Sequence, residues 1–198
     1  MKNGPDRAVG LFVLAAAAAI ALQGEARGVV VQYQATLNGP NESPPNPSLG
    51  TGFATFDYDT TAHTLHVHAT FQGLTGTTTA SHIHSATTLP GQGTAGVATQ
   101  VPSFIGFPLG VTSGLFDNTL DLTQASSWNP AFVTANGGTP TTAEAALISG
   151  INSGSAYLNI HSTNTPGGEI RGFLQPVPAP GATALLGVGA LWIARRRR

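Results

Sequence analysis

Histidine is the chemistry that this sequence offers. Six histidines stand among 198 residues that include no cysteine and only 9% charged side chains. His82 and His84 form a His-x-His. On a strand that spacing puts both imidazoles on one face, about 7 Å apart along the chain. His161 ends a second alternating stretch, Ala156–His161, on its polar side. Three imidazoles suit Cu or Zn, with water completing the shell. The more ordinary reading of the same three residues is as hydrogen-bonding partners of neighbouring loops.

The other reactive side chains are sparse. His66 and His68 form a second His-x-His near His63, on what reads as the solvent side of an amphipathic strand. Glu169 and Arg171 alternate onto one strand face, where they suit a structural pair or, through Arg171, an anion contact. Ser81 and Ser85 flank the first His pair, but neither sits in a nucleophile elbow, and no Ser-His-Asp set stands out. Gly91-Gln92-Gly93 precedes no helix, so it is no phosphate loop. Glu42, Asp57 and Asp59 are too scattered for a glycosidase pair. No catalytic residue is assigned, and binding is the leading expectation over catalysis.

The elements that must position these residues are strands. Residues 27–176 hold 24 Thr and 19 Gly, the one favouring strands and the other punctuating turns. Thr64–Phe71 alternates strictly, with Leu65, Val67, Ala69 and Phe71 opposite Thr64, His66, His68 and Thr70. Val29–Leu37, Gly52–Tyr58, Ser81–His84, Val97–Val101, Gly114–Leu122 and Glu169–Leu174 are further candidates. Short strands between Gly, Pro, Asn and Thr clusters predict an all-β antiparallel sandwich or barrel. Two short helices are expected in one long connection. Asn129-Pro130 suits a cap with Pro in the first turn. Thr141-Thr142-Ala143-Glu144 reads as a capping box that starts a helix ending at Gly150.

The charges divide the chain into three parts. Between residues 27 and 176 only Arg27 and Arg171 are basic, against Glu42, Asp57, Asp59, Asp117, Asp121, Glu144 and Glu169. That lysine-free, acidic interior has no cationic surface for nucleic acid. The remaining basic residues belong to the ends. Lys2 and Arg7 precede the uncharged run Val9–Leu22, and Gly24-Glu25-Ala26 then puts small residues at both positions that a signal peptidase reads. This pattern predicts a signal peptide over 1–26, cut after Ala26 by signal peptidase. At the other end, Pro176-Val177-Pro178-Ala179-Pro180 leads into the apolar run Gly181–Ala194 and then Arg195, Arg196, Arg197 and Arg198. Basic residues beside an apolar segment stay cytoplasmic. The segment 176–198 resembles the PEP-CTERM sorting signal, with Val-Pro-Ala-Pro in place of the usual Val-Pro-Glu-Pro. The resemblance implies a membrane helix, an exosortase-type processing enzyme and an association with extracellular polysaccharide.

The middle also carries a set of ordered motifs. They are Gln34-Ala35-Thr36-Leu37-Asn38-Gly39, Glu42-Ser43-Pro44-Pro45, Gly50-Thr51-Gly52-Phe53-Ala54-Thr55-Phe56 and Phe71-Gln72-Gly73-Leu74-Thr75-Gly76. Ser81-His82-Ile83-His84, Ala156-Tyr157-Leu158-Asn159-Ile160-His161 and Gly167-Gly168-Glu169-Ile170-Arg171-Gly172 complete the series. In this order they resemble the chordin-type CHRD domain, over residues 27–175 as a domain. The resemblance implies secretion and an Ig-like Greek-key sandwich, with no established catalysis. The His-x-His, the later His and the Gly-rich turn before an Arg are also similar to the copper side of Cu/Zn superoxide dismutase. That likeness implies copper on His82, His84 and His161, and an anion guided by Arg171. The bridging His, the zinc loop and the disulfide of that family have no counterpart here.

The expectation is thus an exported envelope or extracellular module, anchored at the membrane at least before processing, that binds polysaccharide or protein. The alternative is a Cu- or Zn-holding protein with a dismutase-like site.

Overall fold

In the computed structural model the described residues are 28–178. The expectations for residues 1–26, for Pro180 and for Arg195–Arg198 fall outside them. Eight strands and two short helices follow one another in this order: β1 (Val30–Asn38), β2 (Thr51–Asp59), β3 (Thr64–Gln72), β4 (Thr78–His84), β5 (Gly114–Asp121), α1 (Pro130–Ala135), α2 (Pro140–Asn152), β6 (Tyr157–Ser162), β7 (Ile170–Phe173) and β8 (Gln175–Pro176). Every pairing between these strands is antiparallel. The architecture is the expected all-β one, with its helices in the β5–β6 connection.

All the strands join one sheet, ordered β4-β6-β7-β1-β2-β3-β5, with β8 added alongside β1. The sheet curls so that its two arms face each other across a common core. Ile170 of β7 packs against the bare backbone of Gly52 in β2, although β1 lies between those strands in the sheet. Period-two alternation fills this interior. Tyr33, Ala35 and Leu37 point inward from β1, Ala54 and Phe56 from β2, and Leu65, Val67, Ala69 and Phe71 from β3. Ile83, Leu158, Ile160 and Ile170 meet them from the opposite arm.

The joint between the arms is narrow. β1 meets β7 at Asn38↔Arg171, and β8 extends the seam through Tyr33↔Pro176 and Gln34↔Gln175. Gly172 sits at this joint, and a β-carbon there would fall 2.4 Å from the Thr36 carbonyl oxygen. That neighbour is backbone, which has nowhere to go, so the close approach requires glycine. Pro176 and Val177 belong to the seam as well, the Val177 N–H donating to the Gln32 carbonyl at 2.9 Å. Pro178 is exposed.

Two local expectations need correction. Helix α2 begins earlier than Thr141: Thr139 caps it, in a reciprocal box with Thr142, and Pro140 opens the first turn. Of two Thr candidates, the one followed by Pro is already turned for capping. Glu144, freed from the cap, accepts from the Tyr58 hydroxyl at 2.6 Å and pairs with His63 at 2.9 Å. The helix also runs through Gly150 to Asn152. Gly150 is no terminator; it makes room, since a β-carbon there would lie 2.1 Å from Ser85 Oγ. The second correction is Val97–Val101, which forms only the isolated bridges His84↔Val97 and Thr99↔Trp128. Ala98 and Thr99 both donate to the Ile83 carbonyl, so the ladder has no regular register there. By contrast, Asn129 caps α1 with Pro130 in its first turn, as the sequence predicts.

Gly172→Ala is expected to destabilise the protein by about 1–3 kcal/mol, the usual cost of overpacking. Gly167→Ala, which meets no atom within 4 Å, is expected to stay within about 0.5 kcal/mol. Urea unfolding of the two variants reads the difference directly, and equal midpoints would show that the β1–β7 approach is not tight.

Candidate metal centre

The arm formed by β4, β6 and β7 has a polar outer face. Antiparallel partners share a face, so the pairs His82↔Asn159 and Asn159↔Arg171 place those three side chains in one row. His84↔Tyr157 and Tyr157↔Phe173 make the next row, and Ala80↔His161 the one on the other side. Loops cover this face, and all six residues of β6 are buried as a result.

His82, His84 and His161 meet here, all buried. One ring nitrogen of each lies within 4.8 Å of the others, and no other group of three or more such ligands occurs among the described residues. Ring centroids are 4.8 Å apart for His82–His161 and 5.2 Å for His82–His84.

Each ring is oriented by a backbone carbonyl from a different point in the loops. His82 Nε2 donates to Pro102 O at 3.1 Å, His84 Nδ1 to Ala95 O at 2.8 Å and His161 Nδ1 to Pro166 O at 2.9 Å. A carbonyl only accepts, so each of these nitrogens carries the proton. The second nitrogen of each ring is then a bare lone pair. Those atoms, His82 Nδ1, His84 Nε2 and His161 Nε2, are buried without a hydrogen-bond partner. Buried polar atoms without partners are costly and call for an explanation. Three of them on converging imidazoles form the donor set that Cu or Zn takes. An N–H held by a carbonyl is also how a metal-binding imidazole is usually oriented.

Protonation agrees with this arrangement. Desolvation pushes His82 down to about 4, helped by the neighbouring His161 and His84. Desolvation also brings His84 to about 4, against its bond to Ala95 O and together with His161 and Arg171. His161 is lowered by burial too. All three are therefore neutral near pH 7, as ligands must be.

Two residues that the sequence reading passed over support the centre. Tyr157 stacks on His84, with centroids 4.8 Å apart and the rings within 3° of parallel. Its hydroxyl accepts from the Ala95 N–H at 3.2 Å, fixing the loop whose carbonyl orients His84. Asn159 lies across the ladder from both His82 and Arg171. The available signal was position: Tyr157 and Asn159 alternate with His161 on the same strand face.

Glu169 and Arg171 take separate partners. Glu169 is fully buried, and burial alone would raise its carboxyl. Hydrogen bonds from Ser162, Thr75 and Ser48 outweigh that effect and hold it at about 2. The Thr75 N–H and the Ser48 hydroxyl donate to Oε1 at 2.5 and 2.7 Å, tying the turn after β3 and the segment before β2 to β7. The Arg171 guanidinium lies 4.7 Å over the Tyr157 ring and donates from Nε to Asn41 O and from Nη1 to Gly93 O. Its charged neighbour is Glu42, at 3.8 Å. His66 and His68 lie apart from the centre, on the other arm, where both pair with Asp117. Ser81 Oγ is committed to Asn159 O at 2.9 Å.

The shifts set a pH dependence. His82 and His84 take up protons near 6.5 when unfolded and near 4 when folded. Between those values the unfolded chain binds more protons, so acidification favours unfolding. Glu42 opposes this: desolvation raises it from 4.5 to about 7, despite Arg171 and its hydrogen bonds. Three imidazoles outweigh one carboxyl. The melting temperature of the metal-free protein is expected to fall as pH drops from 6.5 to 4, and to fall more steeply in Glu42→Gln. A flat profile would contradict buried, neutral imidazoles.

Among the described residues no helix is long and apolar enough to cross a membrane. Neither a curated protein nor a solved structure matches the chain. The family model described as CHRD domain matches residues 33–174, most of the chain and all of the histidine centre. The chain therefore belongs to the CHRD domain family.

Proposed function

We propose that this chain is an exported CHRD module that holds one Cu or Zn ion on His82, His84 and His161. The observation that carries the proposal is the set of three buried, unpartnered imidazole nitrogens on rings whose other nitrogen is already bound to a carbonyl. An isolated hydrogen-bonding role would use those lone pairs, and here they are unused. Copper on such a site is redox-active, whereas zinc polarises a bound water. The chain's own contribution is to keep the rings neutral, oriented and screened from solvent. Glu169 ties the turn after β3 to this arm, and Arg171 holds Tyr157 and the 91–95 loop.

In this reading the module reaches the envelope or the extracellular space through residues 1–26. Residues 176–198 hold it at the membrane until a sorting enzyme acts. The flanking basic residues and uncharged runs support that route.

Metal analysis of the purified protein tests the centre. About one Cu or Zn per chain is expected, and His82→Ala should abolish it. Tyr157→Phe removes the hydroxyl that fixes Ala95, and is expected to weaken metal affinity about tenfold while leaving the stoichiometry intact. Metal-free protein, or metal retained undiminished in His82→Ala, would exclude the centre. For the anchor, deleting Arg195–Arg198 is expected to shift the protein between membrane and soluble fractions. Unchanged fractionation and unchanged processing would remove the sorting role.

A further inference from the structure

On the same arm, at the seam with β1, an open cleft of about 630 Å³ lies between the 40–45 segment, the 91–93 turn, the middle of β1 and strand β7. Arg171 and Glu42, 2% and 7% exposed, line its deep part. Gln34, Asn41, Gln92 and Gln175 stand on its exposed walls, with Phe173 between them. A buried guanidinium beside a buried carboxyl, beneath a rim of neutral amides, is unusual in a domain this poor in charge.

The pair is close without being hydrogen-bonded. Arg171 Nε and Glu42 Oε2 are 3.8 Å apart, too far for a direct bond. Instead Nε and Nη1 hold the carbonyls of Asn41 and Gly93, which lock the guanidinium in place. A guanidinium carries five N–H donors, so others are left over. The leftover Nη donors and the Glu42 carboxyl therefore belong to one polar patch on the cleft.

We propose that this cleft is a saccharide subsite that takes a neutral, polyhydroxylated ring, with a hydroxyl group set alongside both Arg171 and Glu42. A hydroxyl accepts and donates at once, so it satisfies both members of the pair. A carboxylate ligand would gain Arg171 but set a second acceptor-rich carboxyl against Glu42, and an ammonium would meet the Arg171 charge at 3.8 Å from the Glu42 carboxyl. The amide side chains of Gln34, Gln92 and Gln175 likewise both donate and accept, which suits further hydroxyls along a chain. Phe173 offers an apolar surface for the C–H face of a ring. The volume admits one or two sugar residues within the 300–1,000 Å³ range of small-ligand sites. The proposal is independent of the metal, since none of its contacts involves the three imidazoles.

The test is calorimetric titration of the purified full-length protein with cellohexaose, xylohexaose and maltohexaose, and with hexagalacturonate for comparison. Saturable binding of at least one neutral hexasaccharide is expected, with little or none of the uronate. Gln92→Ala, on the exposed wall, and Glu42→Gln should each weaken that binding about tenfold, the loss of one hydrogen bond to a charged or well-placed group. His82→Ala should leave it unchanged, whatever its metal content, so failure of the metal reading and failure of this one are separable. Preference for hexagalacturonate would make the cleft an anion site and overturn the proposal. So would the absence of binding by folded protein, or binding that both cleft variants leave intact.

Discussion

Three imidazoles buried on the outside of a sheet impose a requirement on the rest of the molecule. Outer sheet faces are normally wet, and a neutral ring removed from water must find partners for both nitrogens. The chain meets half of that demand with three carbonyls, from Ala95, Pro102 and Pro166. Those carbonyls come from two loops, and the loops must be held down. Tyr157 and Arg171 secure the 91–95 segment, while Ser81 and Ser103 exchange bonds beneath Pro102. Much of what is irregular in this fold, including the long β4–β5 connection, serves to cover one face of one arm.

With charge so scarce, the buried charged side chains take structural roles. Glu169 binds two separate segments to β7, and Glu144 holds Tyr58 of β2 and His63, just before β3, against α2. Arg171 reaches furthest. It touches the aromatic ring that stacks on His84, the turn at Gly93, and Asn41 at the start of the segment leading to β2. It also lies opposite Asn38 at the narrow joint of the sheet. The joint, the cleft and the histidine centre thus share one side chain.

The sequence made the strands and the three histidines legible for the same reason. Alternation is local, so Leu65, Val67, Ala69 and Phe71 declare an inner face, and His82 with His84 declare a shared one. His161 was legible because titratable residues are so few. Glu42 and Arg171 lie far apart in the chain, and no local pattern announces that a cleft brings them together. The carbonyl partners were invisible in principle, since every residue has a carbonyl and only the folded loop selects one. Thr141 begins a valid capping motif, but tertiary contacts claim its Glu144 for other work. Gly150 likewise reads as a stop until Ser85 is seen pressed against it.

The lid over the histidines is built from main-chain oxygen atoms. Such atoms do not change when a side chain is replaced. Residues 95 and 166 can therefore drift in identity while the oxygen that each presents stays in place, provided the loop keeps its length and course. Substitution in these loops is buffered, and insertion or deletion is not. Among relatives, the centre would be preserved as spacing in the covering loops, with identity held only at the rings themselves.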